Sequence, residues 1–524
     1  MKKRWTWPLA IWAAAISARL TYLLLLKDTP FFGPLTPHLD DGAFWVLANK
    51  IAAGDWWCRV PEAAYRVPAY PYFLALIIRA AGPNLWAVHL TQILIGSLTP
   101  VMVYFLSGEI FGSGRARLIS GFLAALYTPL VVYDSALLGE SLAIFLSAAG
   151  LLCLTRAAKR AGRAWRGYFW GGLLLGAAAL FRPNIMIPAA LLAVAAGSVS
   201  AIQNRSVFKT LLVTGVFIAG VTLALTPNTI RNARLHDDFL PLGALGGVNL
   251  YFGNHPGADG KFTAVRGIGT TFSEIIRNSQ RIAEAEYEHG LKPSQASAFW
   301  VRKTLDMIRR DPSMFVSKLG IKAGLLVNRA EIPDIVDLDF LKIFVPMMRW
   351  SPVGYGVVAV LGLCGFVFLV RSGSSVPRIY LDVFFVGYAV SVLIFFVTGR
   401  VRLPVVLPMM LYAGWLVESV RLALTERRTR LLVGQFAAAV IIGAAVFWPT
   451  GESDHAMGYN SLGVAMSYRG ITHLAEKYFR EAIRMRPDYP TPYKNLSILY
   501  RDDGNNAEAQ RMGALYESMV NNQN

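Results

Sequence analysis

The stretch "LAIWAAAISARLTYLLLL", residues 9–26, allows few places for the chain to fold. A helix needs roughly 20 apolar residues to cross a bilayer, and this run with its neighbours supplies them. Ten more such stretches follow, near 86–107, 117–133, 135–155, 168–181, 184–201, 210–226, 352–370, 379–397, 403–420 and 431–448. The composition agrees: 54% of the 524 residues are hydrophobic and 16% are charged. The expected fold is therefore an all-α polytopic membrane protein with about eleven transmembrane helices.

A formal charge of +18 invites a nucleic-acid reading, but its location argues for topology. With the N-terminus inside, the inner segments hold Lys2, Lys3 and Arg4; Arg115 and Arg117; Arg156, Lys159, Arg160, Arg163 and Arg166; Arg205 and Lys209; Arg371 and Arg378; and Arg421, Arg427, Arg428 and Arg430. Basic residues mark cytoplasmic loops, so the first acidic loop, segment 227–351 and the tail belong outside. No nucleic-acid partner is expected. The basic start could open a signal peptide, yet the apolar run continues past any cleavage point and reads as an uncleaved span. Cys153 and Cys364 lie in apolar runs and only Cys58 in a loop, which leaves no disulfide framework.

Four segments follow. Residues 1–226 form a membrane module with a first external loop at 27–85. Residues 227–351 form an external cap, whose part "LGALGGVNLYFGNHPGADGKF" reads as turns and short extended pieces and whose part from Ser273 to Asn328 reads as helices, with Ile275, Ile276 and Ile282 at helical spacing. Residues 352–448 return to membrane helices, and 449–524 form a tail. In the tail a period of 34 residues relates Tyr459, Leu462, Gly463, Ala475, Phe479, Ala482 and Pro487 to Tyr493, Leu496, Ser497, Tyr500 and Ala509. That pattern resembles tetratricopeptide repeats. Two repeats are marginal alone, so the tail should dock on the membrane domain or on a protein partner.

Chemistry concentrates in the first loop. Phe44, Leu47, Ala48 and Ile51 share one helical face, which predicts a helix along the membrane surface with Asp40 or Asp41 at its N-terminus. One carboxylate suffices for capping. The other is placed to act as general base or to hold a divalent cation such as Mg or Mn. The run Asp40, Ala48, Gly54-Asp55-Trp56, Arg66, Pro68 and Tyr70-Pro71 closely resembles the first external loop of C-superfamily glycosyltransferases. Its nearest branch holds the dolichyl-phosphate-mannose protein mannosyltransferases and the lipid A aminoarabinose transferases. "YDSALLGESLAIFL" resembles the second external loop, with Glu140 the better match and Asp134 its neighbour. "LFRPN", containing Arg182, "TPNTIRNARLHDDFLPLGALGGVNLYFGN", "EIPD" at 331–334 and "GRVRLPVVLP" at 399–408 resemble later segments. The resemblance, over residues 1 to about 425, implies a sugar taken from a polyprenyl-phosphate donor in the membrane and moved with inversion to a protein, lipid or glycan acceptor of the envelope.

Such a transfer needs a carboxylate to deprotonate the acceptor and cations for the phosphate that leaves. Arg400 and Arg402 stand in an external turn against the positive-inside trend, and their planar forks suit phosphate. Arg66 and Arg182 are similarly placed; snorkelling or structural ion pairing is the plainer account of all four. Arg19, within the first span, should face a polar interior. His38, His236, His255 and His289 show no zinc-type spacing, and no Walker or dinucleotide motif is present, which argues against a nucleotide-sugar donor. The competing class is a membrane scaffold or transporter with a partner-recruiting tail. It has no need of acidic residues in two early external loops. An O-antigen-ligase-like enzyme is a third class, but it places its main external loop late. The reading puts the chain in a bacterial plasma membrane with the active site and C-terminus outside.

Overall fold

The computed structural model describes residues 5–522 except 35, 38, 67, 160–163, 264, 266, 270, 351, 352, 374 and 451–454. Lys2–Arg4, His38, Arg160 and Arg163 therefore lie outside the described residues. Among the described residues the fold is all-α, with one isolated bridge between Val265 and Gly269. Helix α1 (Thr6–Leu26) leads to a loop carrying α2 (Asp40–Ala52) and α3 (Ala69–Ala81). Next come α4 (Leu85–Gly96), α5 (Thr99–Phe111), α6 (Gly114–Leu126), α7 (Thr128–Tyr133), α8 (Glu140–Ala158), α9 (Ala164–Phe181), α10 (Met186–Asn204) and α11 (Val207–His236). The cap contains α12 (Gly246–Phe252), α13 (Phe272–Tyr287), α14 (Pro293–Arg310), α15 (Pro312–Val327) and α16 (Leu338–Phe344). The chain then continues through α17 (Tyr355–Arg371), α18 (Val376–Ile394), α19 (Leu403–Thr425) and α20 (Thr429–Val446) into α21 (Ala456–Tyr468), α22 (Thr472–Met485), α23 (Pro490–Asp502) and α24 (Asn506–Asn522).

Nine helices of the described residues, α4–α5 counting as one, are long and apolar enough to cross a membrane. The predicted spans at 117–133 and 168–181 are not among them. The first is broken at Tyr127, whose extended backbone precedes the Pro-containing first turn of α7. The second lies in α9, where Arg166 and four glycines lower the hydropathy. Those glycines serve packing. A Cβ at Gly172 would lie 2.1 Å from the Phe217 carbonyl oxygen and one at Gly220 2.3 Å from that of Phe169, so α9 and α11 cross with backbones touching. Chain direction supplies the remaining two crossings. Asp40 after α1, Glu140 opening α8, Arg182 after α9 and Arg400 before α19 join in one ion-pair cluster. Glu109 and Arg156 pair at the opposite end of the bundle, 3.0 Å apart. Because α8 leaves the cluster end and Arg182 lies back in it, α9 must be a return stroke. By the same logic α6 and α7 together carry the chain back after α5, which makes eleven.

In the cap, "GGVNLYF" forms helix α12 where turns and extended pieces were expected. Its flanking glycines permit close contact rather than a turn: a Cβ at Gly247 would lie 2.0 Å from the Ser297 carbonyl oxygen, and one at Gly253 1.8 Å from that of Phe395. Val248, Phe252, Ile275, Phe299 and Trp300 fill the cap core, and a capping box from Thr271 and Glu274 starts α13.

Two hairpins, α21–α22 and α23–α24, make up the tail, with Gly463 packed flat on Phe479. The tail docks on the membrane domain. Phe340 of α16 lies in its core, and Phe31, Leu39 and Phe344 pack against that core. Arg469 donates to the Pro30 and Pro34 carbonyls at 3.2 and 3.3 Å. A Cβ at Gly458 would lie 2.7 Å from the Phe340 ring. Gly458→Val should therefore undock the tail, at a cost of about 1–3 kcal/mol for overpacking, and limited proteolysis should release it faster than in wild type. Gly215→Ala, where the space is open, should behave as wild type.

Candidate active site

The site starts with the N-terminus of α2. Its N-cap is Leu39, which offers no side-chain hydrogen bond, so neither Asp40 nor Asp41 occupies the N-cap position. Both sit in the first turn, where the helix dipole favours negative charge. Adjacent helical residues point apart, and these two do so. Asp41 lines a cavity of about 60 Å³ with Leu26, Phe31, His89 and Asp337. Asp40 instead joins an array of guanidiniums.

Arg66 Nη2 donates to Asp40 Oδ1, and Arg400 Nη1 donates to Asp40 Oδ2 at 2.6 Å. Arg400 Nε donates to Glu140 Oε1 at 2.5 Å, and Arg182 Nη1 approaches the same oxygen at 3.4 Å. Asp334 lies 4.0 Å from Arg400 Nη1. Three cations thus face three carboxylates, supplied by the first loop, the start of α8, the turn after α9, the cap and the turn before α19. The Glu140 side chain is 1% exposed and that of Arg400 11%. Arg66 lies between aromatic rings, 3.6 Å from the Phe272 centroid of the cap and 4.8 Å from Phe44.

Burial alone would raise the Asp40 carboxyl, but the Arg66 and Arg400 guanidiniums outweigh it and hold the group well below the usual carboxylate range. Asp334 goes the other way: burial raises it, opposed by Arg400 and reinforced by Asp40 and Glu140. Arg400 loses to burial but gains more from Glu140, Asp40 and Asp334, and is held more firmly protonated than a free arginine.

Arg402 is placed elsewhere. Its guanidinium is 1% exposed, pairs with Glu331 at 3.0 Å, donates to the Asn328 and Ala330 carbonyls at 2.8 and 2.7 Å, and lies 3.6 Å from the Tyr355 ring centroid. It ties the segment leading to Asp334 onto α17 and α19. Arg19 pairs with Asp134, which also accepts from Ser141, so this intramembrane arginine pins α1 to the turn before Glu140. Sequence reading did not single out Asp334 or Arg231 as site residues, although both lie in stretches quoted for the resemblance. Arg231 of α11 donates to the Trp57, Cys58 and Ala63 carbonyls at 2.9, 2.9 and 3.2 Å, fastening the loop that ends in Arg66. The arginine at the centre of "NTIRNAR" was the available signal.

As arranged here, Asp40 and Asp41 do not converge on one point, and Asp40 has both oxygens on guanidiniums. Among the described residues no group of three or more His, Cys, Asp or Glu side chains is gathered to hold a metal ion. The cation between Asp40 and Glu140 is Arg400.

Residues 64–226 match the family described as dolichyl-phosphate-mannose-protein mannosyltransferase. This is the branch that the first loop resembles, and the match takes in Arg66, Glu140 and Arg182. No curated protein sequence matches the chain. Among solved structures, the oligosaccharyltransferase of Archaeoglobus fulgidus in its apo form aligns with 92% of this chain at 14% identity and a TM-score of 0.47. The chain spans 59% of that protein's length. ArnT from Cupriavidus metallidurans bound to undecaprenyl phosphate aligns over 80% of this chain and 79% of its own, at 15% identity and a TM-score of 0.35.

Two outcomes follow from the ion pairs. Arg402→Ala leaves Glu331 without its buried partner and should cost roughly 3 kcal/mol, seen as a lower Tm in detergent, with Lys restoring part of it. Because the folded pKa of Asp40 is depressed, its stabilising contribution is present above the ordinary carboxylate value of about 4 and is lost as pH falls through the lower folded value. Thermal midpoints of wild type should exceed those of Asp40→Asn at pH 7, with the gap closing on acidification.

Proposed function

We propose that the chain is a glycosyltransferase that moves a sugar from a polyprenyl-phosphate carrier to an envelope acceptor, with inversion, at the non-cytoplasmic face. The observation that carries this reading is the bridge from Arg400 to Asp40 and Glu140, which brings a candidate base and a candidate phosphate ligand into direct contact. The family match over residues 64–226 supports it. Sidedness is supported by Arg115, Arg117, Arg156 and Lys159, all at the bundle end opposite the cluster.

At rest the array is self-neutralised, and Asp40 is a poor base because two guanidiniums stabilise its ionised form. A donor phosphate competes with the carboxylates for Arg400, with Arg66 and Arg182 beside it. As Arg400 turns to phosphate, Asp40 loses one cation and becomes more basic just where the acceptor hydroxyl arrives. The acceptor oxygen then forms its bond to the anomeric carbon while the carbon–oxygen bond to phosphate breaks. The acceptor proton goes to Asp40, and the electron pair leaves on polyprenyl phosphate, held by the guanidiniums. One displacement of this kind inverts the anomeric centre. Glu140 keeps Arg400 and Arg182 oriented, and Asp41, outside the array, has a supporting place at the head of α2. A divalent cation is open to the same assay: chelation should leave transfer largely intact if Arg400 is the working cation.

Purified protein should retain undecaprenyl phosphate and not the uncharged alcohol. Arg400→Ala should weaken retention by about 10- to 100-fold, the worth of a charge-assisted hydrogen bond, and Lys should restore part because it lacks the fork. Asp40→Asn should bind the lipid yet lose roughly 10² to 10⁴ in transfer rate. Equal retention of the alcohol, or an Arg400→Ala variant that binds as wild type, would sink the reading and favour the scaffold class.

A further inference from the structure

Helix α15 is turned inside out for a helix in water. Lys318 and Lys322, four residues apart, are 5% and 0% exposed, whereas Val316 and Ile321 are 65% and 46% exposed. Gly320, Ala323 and Gly324 share the outward side. Water dictates the opposite pattern. The rotation is pinned by hydrogen bonds. Lys318 Nζ donates to the Pro256 and Ala258 carbonyls at 3.0 and 2.8 Å, and Lys322 Nζ donates to Asn254 Oδ1 at 2.8 Å. Asn254 in turn donates to the Leu250 and Ile394 carbonyls.

The same bonds set the height of the helix. Through Asn254 its middle is held at Ile394, the last residue of α18. Its C-terminal end is held at the last turn of α20, where Arg329 N–H donates to the Val446 carbonyl and Asn328 to that of Trp448, both at 2.8 Å. Two span ends on the cluster side of the bundle therefore support α15 along its length. It thus lies level with the ends of α18 and α20.

Its neighbours have the composition of a headgroup zone. Trp448 is 69% exposed, and Arg329 stacks over Phe447 at 5.3 Å. Arg309 and Arg310 close α14 immediately before it. Aromatic residues and arginines gather at headgroup level because each has an apolar body and a polar end. The adjoining α20 already exposes Phe436, Val440 and Ile441, an apolar face that continues toward α15.

We propose that α15 is an interfacial membrane anchor whose Val316 and Ile321 face is buried in the acyl chains of the bilayer, so that the foot of the cap rests on lipid. The anchor bears on the candidate site through a short path. The turn its lysines hold ends at Gly260, whose carbonyl accepts from Val397 N–H at 2.9 Å, three residues before Arg400. Lipid contact thereby sets the depth of Arg400 relative to the headgroup plane.

The test is spin-label accessibility on the full chain in phosphatidylcholine/phosphatidylglycerol nanodiscs. Nitroxides are attached at Val316→Cys and Ile321→Cys. Ile441→Cys on α20 serves as the lipid reference and Asp503→Cys on the tail as the water reference, and the unmodified chain gives the background from its own cysteines. Both α15 labels should relax with dissolved oxygen and resist a water-soluble nickel chelate, as at position 441. Relaxation by nickel as at position 503 overturns the proposal, and so does shielding from both agents, which would indicate a second copy or another protein on that face. Because both positions are exposed, the labels leave the buried lysine contacts in place.

Discussion

One guanidinium organises one end of this bundle. Arg400 holds a carboxylate from the first loop and another from the head of α8 while a third stands 4.0 Å away, joining positions up to 360 residues apart. Desolvating three cations and three anions is affordable only because each charge finds a partner within the set. The surrounding structure follows from that requirement. Phe272 closes the cap over Arg66, Arg231 ties down the loop that presents it, and Arg402 braces the segment carrying Asp334.

Such an array differs from a structural salt bridge in its economy. A structural pair, like Arg19 with Asp134, is closed inside the interior, with Arg19 Nη1 donating to the Ala15 and Ala125 carbonyls. Under the proposed function the Arg400 cluster would instead exchange pairing within itself for pairing with an anionic guest. A guest phosphate would trade places with a carboxylate, so the cost of binding would be a difference between two ionic arrangements. The carboxylate set free would be Asp40, the candidate base.

How much of this was legible in the sequence depended on whether a residue's environment is local. Nine of the spans were, because each is a contiguous apolar run; α6–α7 is interrupted at Tyr127, and α9 was harder to judge because its glycines serve backbone contact with α11 at the expense of hydropathy. Asp40, Glu140, Arg66, Arg182 and Arg400 stood out as charges beside membrane spans, and the fold brings them together. Arg402 carried the same signal as Arg400 but faces Glu331 and Tyr355, since two residues along a tight turn differ in direction and direction is tertiary. Asp334 and Arg231 were invisible as site residues for the same reason: what matters is a partner 66 residues away for one and backbone carbonyls 174 residues away for the other. In α15 the apolar spacing was legible, and which side faced out was not.

The docked tail gives the order of synthesis a meaning. Leu39, the residue before Asp40, packs against a core that joins Phe340 of α16 to side chains of α21 to α24, and Arg469 grasps the loop at Pro30 across 439 residues. The first loop leaves the ribosome early, long before Arg400, the cap or the tail exist. Until they arrive, Asp40 is an ordinary solvated carboxylate on a half-built surface. Translation therefore acts as a timer: the cluster assembles last, when the late segments close on the early one, so a chain stalled in mid-synthesis presents Asp40 without Arg400.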